Sequence, residues 1–220
     1  MADELTSQHP VPDDRVGGPR AEDAALLAPL AVPDHAALSR LRGRLADAAR
    51  TEGVLDVAYR VVASPVGDLL LAATEVGLVR VAFASEGIDV VLDVLARRIS
   101  PRVLAAPARL DRTARELDEY FSGRRRAFGL PLDLRLAQGF RRDVVEHLPE
   151  IPYGSTATYA AVAALAGSPR ATRAVGTACA RNPLPLVVPC HRVVRSDGSP
   201  GQYLGGEAAK RWLLDHERAR

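Results

Sequence analysis

The sequence predicts an α+β fold: a small N-terminal three-stranded antiparallel sheet with helices, followed by a mainly helical C-terminal domain of winged helix-turn-helix type. Three observations carry that expectation. Short β-branched and leucine-rich runs, split by turn residues, fill positions 57–83. Two segments of helical period follow them. Further on, two short helical stretches flank a Gly167-Ser168 break, the spacing of a helix-turn-helix.

Each element has a local cause. Residues 1 to about 33 mix seven Pro and Gly residues with scattered acids and read as a disordered tail. Asp34 is placed to cap a helix whose apolar positions include Leu38, Leu41, Leu45 and Ala49. Val57–Val62, Leu69–Ala73 and Gly77–Phe83 read as strands, with Gly67-Asp68 as the hairpin turn. Val90–Ile99, with Val91, Leu92, Val94 and Leu95 at helical spacing, and Leu110–Phe121 read as amphipathic helices.

After Pro131, Phe140–Leu148 reads as a helix with Val144, Val145 and Leu148 on one side. Thr158 caps a helix over Tyr159–Leu165, and Pro169 suits the first turn of a recognition helix reaching about Ala180. The apolar run Leu184–Pro189 reads as a strand at the edge of the core. A last helix over Glu207–Glu217 offers Trp212, Leu213 and Leu214 as buried anchors. Three regions are expected: an extension over 1–54 with one helix near 34–50, an α+β domain over 55–135, and a domain over 136–220.

Composition narrows the function. The chain of 220 residues is 47% hydrophobic and 25% charged, ordinary for a globular protein. No stretch is apolar enough to span a bilayer and the N-terminus lacks a signal core, so the expected location is the cytoplasm, without membrane association. Cys179 and Cys190 are too few for a disulfide scaffold. The net charge of +2 is unevenly spread: between Tyr153 and Ser196 stand Arg170, Arg173, Arg181, Arg192 and Arg195 with no Asp or Glu. Such a segment can approach a polyphosphate, although on charge alone a solvated basic face is the favoured reading.

Cys190 is the candidate reactive group. It stands between an apolar run and the pair His191-Arg192, and an imidazolium or guanidinium beside a thiol favours the nucleophilic thiolate. At this point an inert buried cysteine accounts for the residue as well. Cys179, between two alanines in a predicted helix, reads as packing.

The wider pattern adds a resemblance. Pro189-Cys190-His191-Arg192-Val193-Val194 resembles the active-site signature of the O6-alkylguanine-DNA alkyltransferases, the methylated-DNA–protein-cysteine methyltransferases. Tyr153-Gly154, Tyr159, Ala163–Gly167, Arg173–Gly176 and Asn182-Pro183 precede it in that family's order. Gly201, Tyr203, Gly205-Gly206, Lys210–Leu214 and Glu217 follow. The likeness is strongest over 136–220, weaker over 55–135, and absent before about 54.

The resemblance implies irreversible, single-turnover transfer of an alkyl group from O6-alkylguanine, with O4-alkylthymine as a second substrate, in double-stranded DNA to Cys190. It implies that His191 acts on the cysteine through a water and that Glu217 orients and charges the histidine. Tyr159 would donate a proton to the leaving base. Arg173 would fill the space of a nucleotide flipped from the stack. Asn182 would brace the active-site turn, and the Val193 carbonyl would read the guanine amine. Tyr203, Leu204 and Gly205 would line the substrate pocket; Leu204 stands where some relatives carry serine, so its contact would come from the backbone amide. Arg192 would be structural or a phosphate contact. No cofactor and no metal are expected, and the protein is expected to be a monomer. A lesion-binding module without transfer and a Cys-His hydrolase are the competing functions. Retention of the cysteine opposes the first; the absence of a glycine-rich oxyanion loop beside it opposes the second.

Overall fold

A computed structural model describes residues 34–219; the tail expected over 1–33 lies outside them. Helix α1 spans His35–Thr51, and the Asp34 carboxylate caps it by accepting the Ala36 N–H at 2.9 Å. Residues from Arg42 onward belong to the main compact unit, where Ala46 and Ala49 of α1 pack with Leu55, Ala58 and Ala106.

The sheet is built from β1 (Val57–Val62), β2 (Leu69–Ala73) and β3 (Leu78–Phe83), paired antiparallel as expected. Every residue of β2 is buried, which suits a central strand covered on both faces. A fourth strand, β4 (Val103–Ala105), runs parallel to β1 and makes the order β3-β2-β1-β4. The three-stranded expectation is therefore one strand short. Three residues between Pro101 and Pro107 carry too little pattern to be recognised before their partner strand is known. The crossover from β1 by way of the β2–β3 hairpin is completed by α2 (Ile88–Arg98), which buries Val91 and Leu95 and leaves Val94 exposed.

Helix α3 (Asp111–Phe121) buries Thr113, Glu116, Leu117 and Tyr120. Helix α4 (Phe140–His147) buries Val144 and Val145, and Leu148 follows in the next turn. The short strand β5 (Ala157–Thr158) leads into α5 (Tyr159–Leu165), whose Thr158 cap accepts the Ala161 N–H at 3.1 Å.

Helix α6 covers Thr172–Ala180. It starts three residues later than the proline suggested: Pro169 sits in the turn, and Ala171 donates to the Ser168 carbonyl at 2.8 Å before the helix begins. Strand β6 (Val193–Val194) pairs parallel with β5. Helix α7 (Gly206–Arg218) closes the fold, burying Leu213 and Leu214 while Trp212 is half-buried against Phe121 and His216.

One core serves both halves. Leu69, Leu71 and Val81 of the sheet, Leu117 and Tyr120 of α3, and Val175, Leu184, Cys190 and Leu213 belong to the same buried cluster. The sheet also reaches the later half through its edge, where the Val81 N–H donates to the Pro183 carbonyl at 2.9 Å. An edge strand is thereby covered, and the loop that leads to Cys190 is tied to a rigid element.

Candidate active site

The segment Asn182–Pro189 is an irregular loop, not the strand that its apolar run suggests. Its residues are all buried, so each backbone polar group needs an internal partner. Asn182 supplies two: its amide nitrogen donates to the Val188 carbonyl at 2.9 Å and its side-chain oxygen accepts the Leu184 N–H at 3.0 Å. Between these points Leu186 adopts φ 74°, a left-handed conformation that costs a bulky residue about 1–3 kcal/mol. The Asn182 brace and a Val188 N–H to Leu184 carbonyl bond of 2.8 Å hold it there.

Cys190 opens a single 3₁₀ turn, Cys190–Arg192, and is 2% exposed. Burial pushes its thiol up to about 11, against lowering contributions from Asn182 and Lys210. The positive neighbours in sequence therefore do not make it a thiolate in the DNA-free protein: desolvation of the charged form outweighs them. Cys179, on the buried side of α6, is raised further by burial and feels the Cys190 sulfur. It is therefore coupled to Cys190 as well as packed in the core.

His191 Nε2 lies 2.9 Å from Glu217 Oε1. Burial lowers the histidine, with Glu217 opposing and Arg192 and Lys210 reinforcing that shift. A neutral ring anchored through Nε2–H leaves Nδ1 as an acceptor, and Nδ1 is enclosed without a partner. Glu217 is the hub. It accepts the Tyr120 hydroxyl at 2.7 Å, Arg192 Nε at 2.9 Å and Nη2 at 3.0 Å, and the Gly154 N–H at 3.1 Å. Burial alone would raise its carboxyl; bonds from His191 and Arg192 hold it down to about 2. Gly154 has φ 74°, and a Cβ there would meet the Glu217 carbonyl at 3.0 Å, so glycine is what lets this turn close on α7.

Arg192 is buried and spent inside the protein, on Glu217 and on the Ile151 carbonyl at 2.6 Å. Its structural reading stands; the phosphate-contact alternative does not. Lys210 is fully buried and donates to the Val193 carbonyl at 2.6 Å. The carbonyl expected to read a base therefore already carries one donor and keeps a second lone pair.

Tyr159 opens α5 half-buried, and burial together with the Cys179 and Cys190 sulfurs raises its phenol. Gly201 is closed on it: a Cβ there would lie 2.1 Å from the Tyr159 oxygen. Tyr203 packs edge-on to His191, ring centroids 6.3 Å apart. Gly205 abuts the Phe83 ring, which a Cβ would meet at 2.6 Å. Tyr203 and Leu204, with Gly201, Arg195 and Ala180, line a cavity of about 530 Å³, within the range of small-molecule pockets.

Arg173 stands exposed in the first turn of α6, apart from the buried network. His191 and Glu217 thus come together in one network with Arg192 and Tyr120, Cys190 opens the turn that carries His191, Tyr203 borders the histidine, and Arg173 lies on the outer surface. Tyr120 and Lys210 have places here that the sequence did not single out. Lys210 had a signal: with Leu213, Leu214 and Glu217 it falls on one face of α7. Tyr120 had none, because its partner lies 97 residues away.

Comparison with known proteins gives two family matches. Residues 57–134 match the sequence model of the 6-O-methylguanine DNA methyltransferase ribonuclease-like domain, and residues 139–219 that of the DNA binding domain. The chain belongs to the methylated-DNA–protein-cysteine methyltransferase family. It is 39% identical over 164 residues to the methylated-DNA–protein-cysteine methyltransferase of Methanosarcina barkeri, covering 72% of this chain and 96% of that one. Among solved structures it is similar to the O6-methylguanine methyltransferase of Mycobacterium tuberculosis, with a TM-score of 0.66 and 35% identity over 74% of this chain and 94% of that one. A structure of Mycobacterium tuberculosis OGT in complex with DNA matches at a TM-score of 0.65 and 34% identity, covering 74% and 93%. Both family domains place the Cys190–Glu217 network within the DNA binding domain and the sheet and Tyr120 within the other. Among the described residues no three His, Cys, Asp or Glu side chains are grouped to hold a metal ion, and no helix is long and apolar enough to cross a membrane.

Proposed function

We propose that this protein repairs DNA by moving an alkyl group from the O6 oxygen of guanine, and secondarily from O4 of thymine, onto Cys190 in a single irreversible turnover. The observation that carries the reading is the buried relay in which Glu217 holds His191 at 2.9 Å beside a cysteine kept as a thiol by burial. A thiol that becomes nucleophilic only when its proton can leave through a neighbouring base is protected from casual alkylation.

In this reading the duplex meets the acid-free arginine surface around α6. Arg173 enters the stack as the damaged nucleotide rotates out, which costs a few kcal/mol that a damaged pair reduces. The sulfur proton passes toward His191 Nδ1 through a water. Sulfur attacks the alkyl carbon, the carbon–oxygen bond breaks, and its electron pair stays on the base. Tyr159, whose phenol is raised and therefore protonated, supplies a proton to that base. The second Val193 lone pair and the Leu204 amide hold the base in place, and no cofactor takes part. The protein works as a monomer in the cytoplasm.

Duplex carrying methyl-labelled O6-methylguanine tests the reading. Label should appear on the Cys190 peptide, one per molecule, and not on the Cys190→Ser variant. Label released to solution, or found on Cys179, would overturn it.

A further inference from the structure

Glu217 Oε1 carries three donors: the Tyr120 hydroxyl at 2.7 Å, His191 Nε2–H at 2.9 Å and Arg192 Nη2 at 3.0 Å. Oε2 takes Arg192 Nε at 2.9 Å and the Gly154 N–H at 3.1 Å. Five donors therefore meet a carboxylate whose two oxygens offer about four lone-pair positions. The crowded oxygen is the one that orients the histidine, and its shortest bond is to Tyr120. Arg192 already supplies the counter-charge and binds both oxygens.

Tyr120 is held in place without that bond. It is fully buried on α3. Its ring lies against Phe128 at 5.3 Å, Phe121 at 5.4 Å and His216 at 5.5 Å, and its carbonyl accepts His216 Nε2–H of α7 at 2.9 Å. Phenylalanine would fill the same space; the oxygen is what tyrosine adds, and that oxygen is spent on Glu217. Burial, then Glu217, keep the phenol protonated, so it donates and gives up no proton.

The charged and titratable groups facing His191 and Glu217 are Arg192 beside the cysteine, Lys210 on α7, Tyr120 on α3, and Tyr203; Tyr153 and His216 stand against Tyr120. Glu217 favours a charged imidazole, while Arg192 and Lys210 oppose it. Tyr120 is neutral and bonds the same oxygen as the histidine. A strong bond from the phenol draws charge from that oxygen and weakens its pull on the imidazole proton.

We propose that Tyr120 is a positioning residue of the relay: its hydroxyl fixes Glu217 Oε1 and tempers that oxygen's hold on His191, so that the histidine stays a neutral base able to take the sulfur proton. Helix α3, in the ribonuclease-like half, thereby sets the chemistry of Cys190 in the DNA binding half. The proposal rests on the transfer reaction described above.

Tyr120→Phe removes the oxygen and keeps the ring. The ¹⁵N shifts of His191 should then titrate roughly one pH unit higher than in the wild type, in line with the loss of a hydrogen bond to a charged group. The acid limb of the pH–rate profile for transfer from free O6-benzylguanine to Cys190 should move upward with it, because a protonated imidazole accepts no proton. Rates above both midpoints should differ far less than rates below them. Site-specific 3-fluorotyrosine at 120, a stronger donor of nearly the same size, should move both midpoints downward and carries the test should the phenylalanine variant not fold. Midpoints that stay put or move the other way, whatever the melting temperature, would overturn the inference and leave the hydroxyl a structural bond. A wild-type protein that takes up no alkyl group fails the transfer reading instead; the His191 titration needs no transfer and still decides the role of Tyr120.

Discussion

Replacing Glu217 by Gln tests the hub of the site. The carboxylate accepts from Tyr120, His191, Arg192 at two nitrogens, and Gly154. Glutamine keeps the shape, but it offers one acceptor oxygen and turns an NH₂ toward at least one donor. Arg192 is then left as a buried cation without its counter-charge. Breaking one partner of a buried ion pair costs about 3–5 kcal/mol. For a body of this size each kcal/mol lowers Tm by roughly 2–4 °C, so the variant should melt roughly 6–20 °C below the wild type. The double variant Arg192→Leu/Glu217→Leu removes both charges and should recover part of that loss. Acid titration sharpens the test. The wild-type carboxyl is held at about 2 against an ordinary 4.5, so its contribution is complete above 4.5 and is lost as pH falls toward 2. Glu217→Gln should flatten that acid limb. Denaturant unfolding followed across pH measures both effects. A variant within about 1 kcal/mol of wild type, with the acid limb intact, would refute the reasoning.

Other outcomes follow from the same geometry. With the Cys190 thiol pushed up to about 11, iodoacetamide should label the folded, DNA-free protein slowly at neutral pH and faster as pH rises toward that value; fast neutral labelling would contradict the burial argument. The same shift should let folding stability decline as pH climbs from about 9. Arg173→Ala should weaken repair of duplex by tenfold or more while leaving reaction with free O6-benzylguanine unchanged, and equal losses in parallel rate measurements would deny the finger role. Gly201→Ala would place a Cβ 2.1 Å from the Tyr159 oxygen; displacing that phenol should slow transfer to duplex and to the free base alike, with the melting temperature changed by far less than in Glu217→Gln.

Most of the architecture was legible because its signals are local. Alternation and turn residues marked β1 to β3, Thr158 marked the start of α5, and the leucines of α7 marked its buried face. The departures came where tertiary context overrides local pattern. β4 is three residues long and is defined by β1. Pro169, a good helix opener, was used in a turn. Leu184–Pro189 reads as a strand because it is apolar, yet it is apolar because it is a buried loop, braced by Asn182 and strained at Leu186. The candidate site divides in the same way. Cys190 and His191 adjoin in sequence and could be paired at sight, whereas Glu217 lies 26 residues beyond the histidine and reaches it only because α7 carries it to the hub. The basic neighbours of Cys190 suggested a lowered thiol; Arg192 is neutralised by Glu217, and burial decides the opposite direction.

Intact-mass measurement before and after exposure to O6-methylguanine duplex tests the central claim most directly. Wild-type protein should gain the mass of one methyl replacing one hydrogen, once per molecule, on the Cys190 peptide, and then accept no more; Cys190→Ser should gain nothing. An unchanged wild-type mass with the methyl group lost from the DNA, or equal gain in the serine variant, would contradict the account.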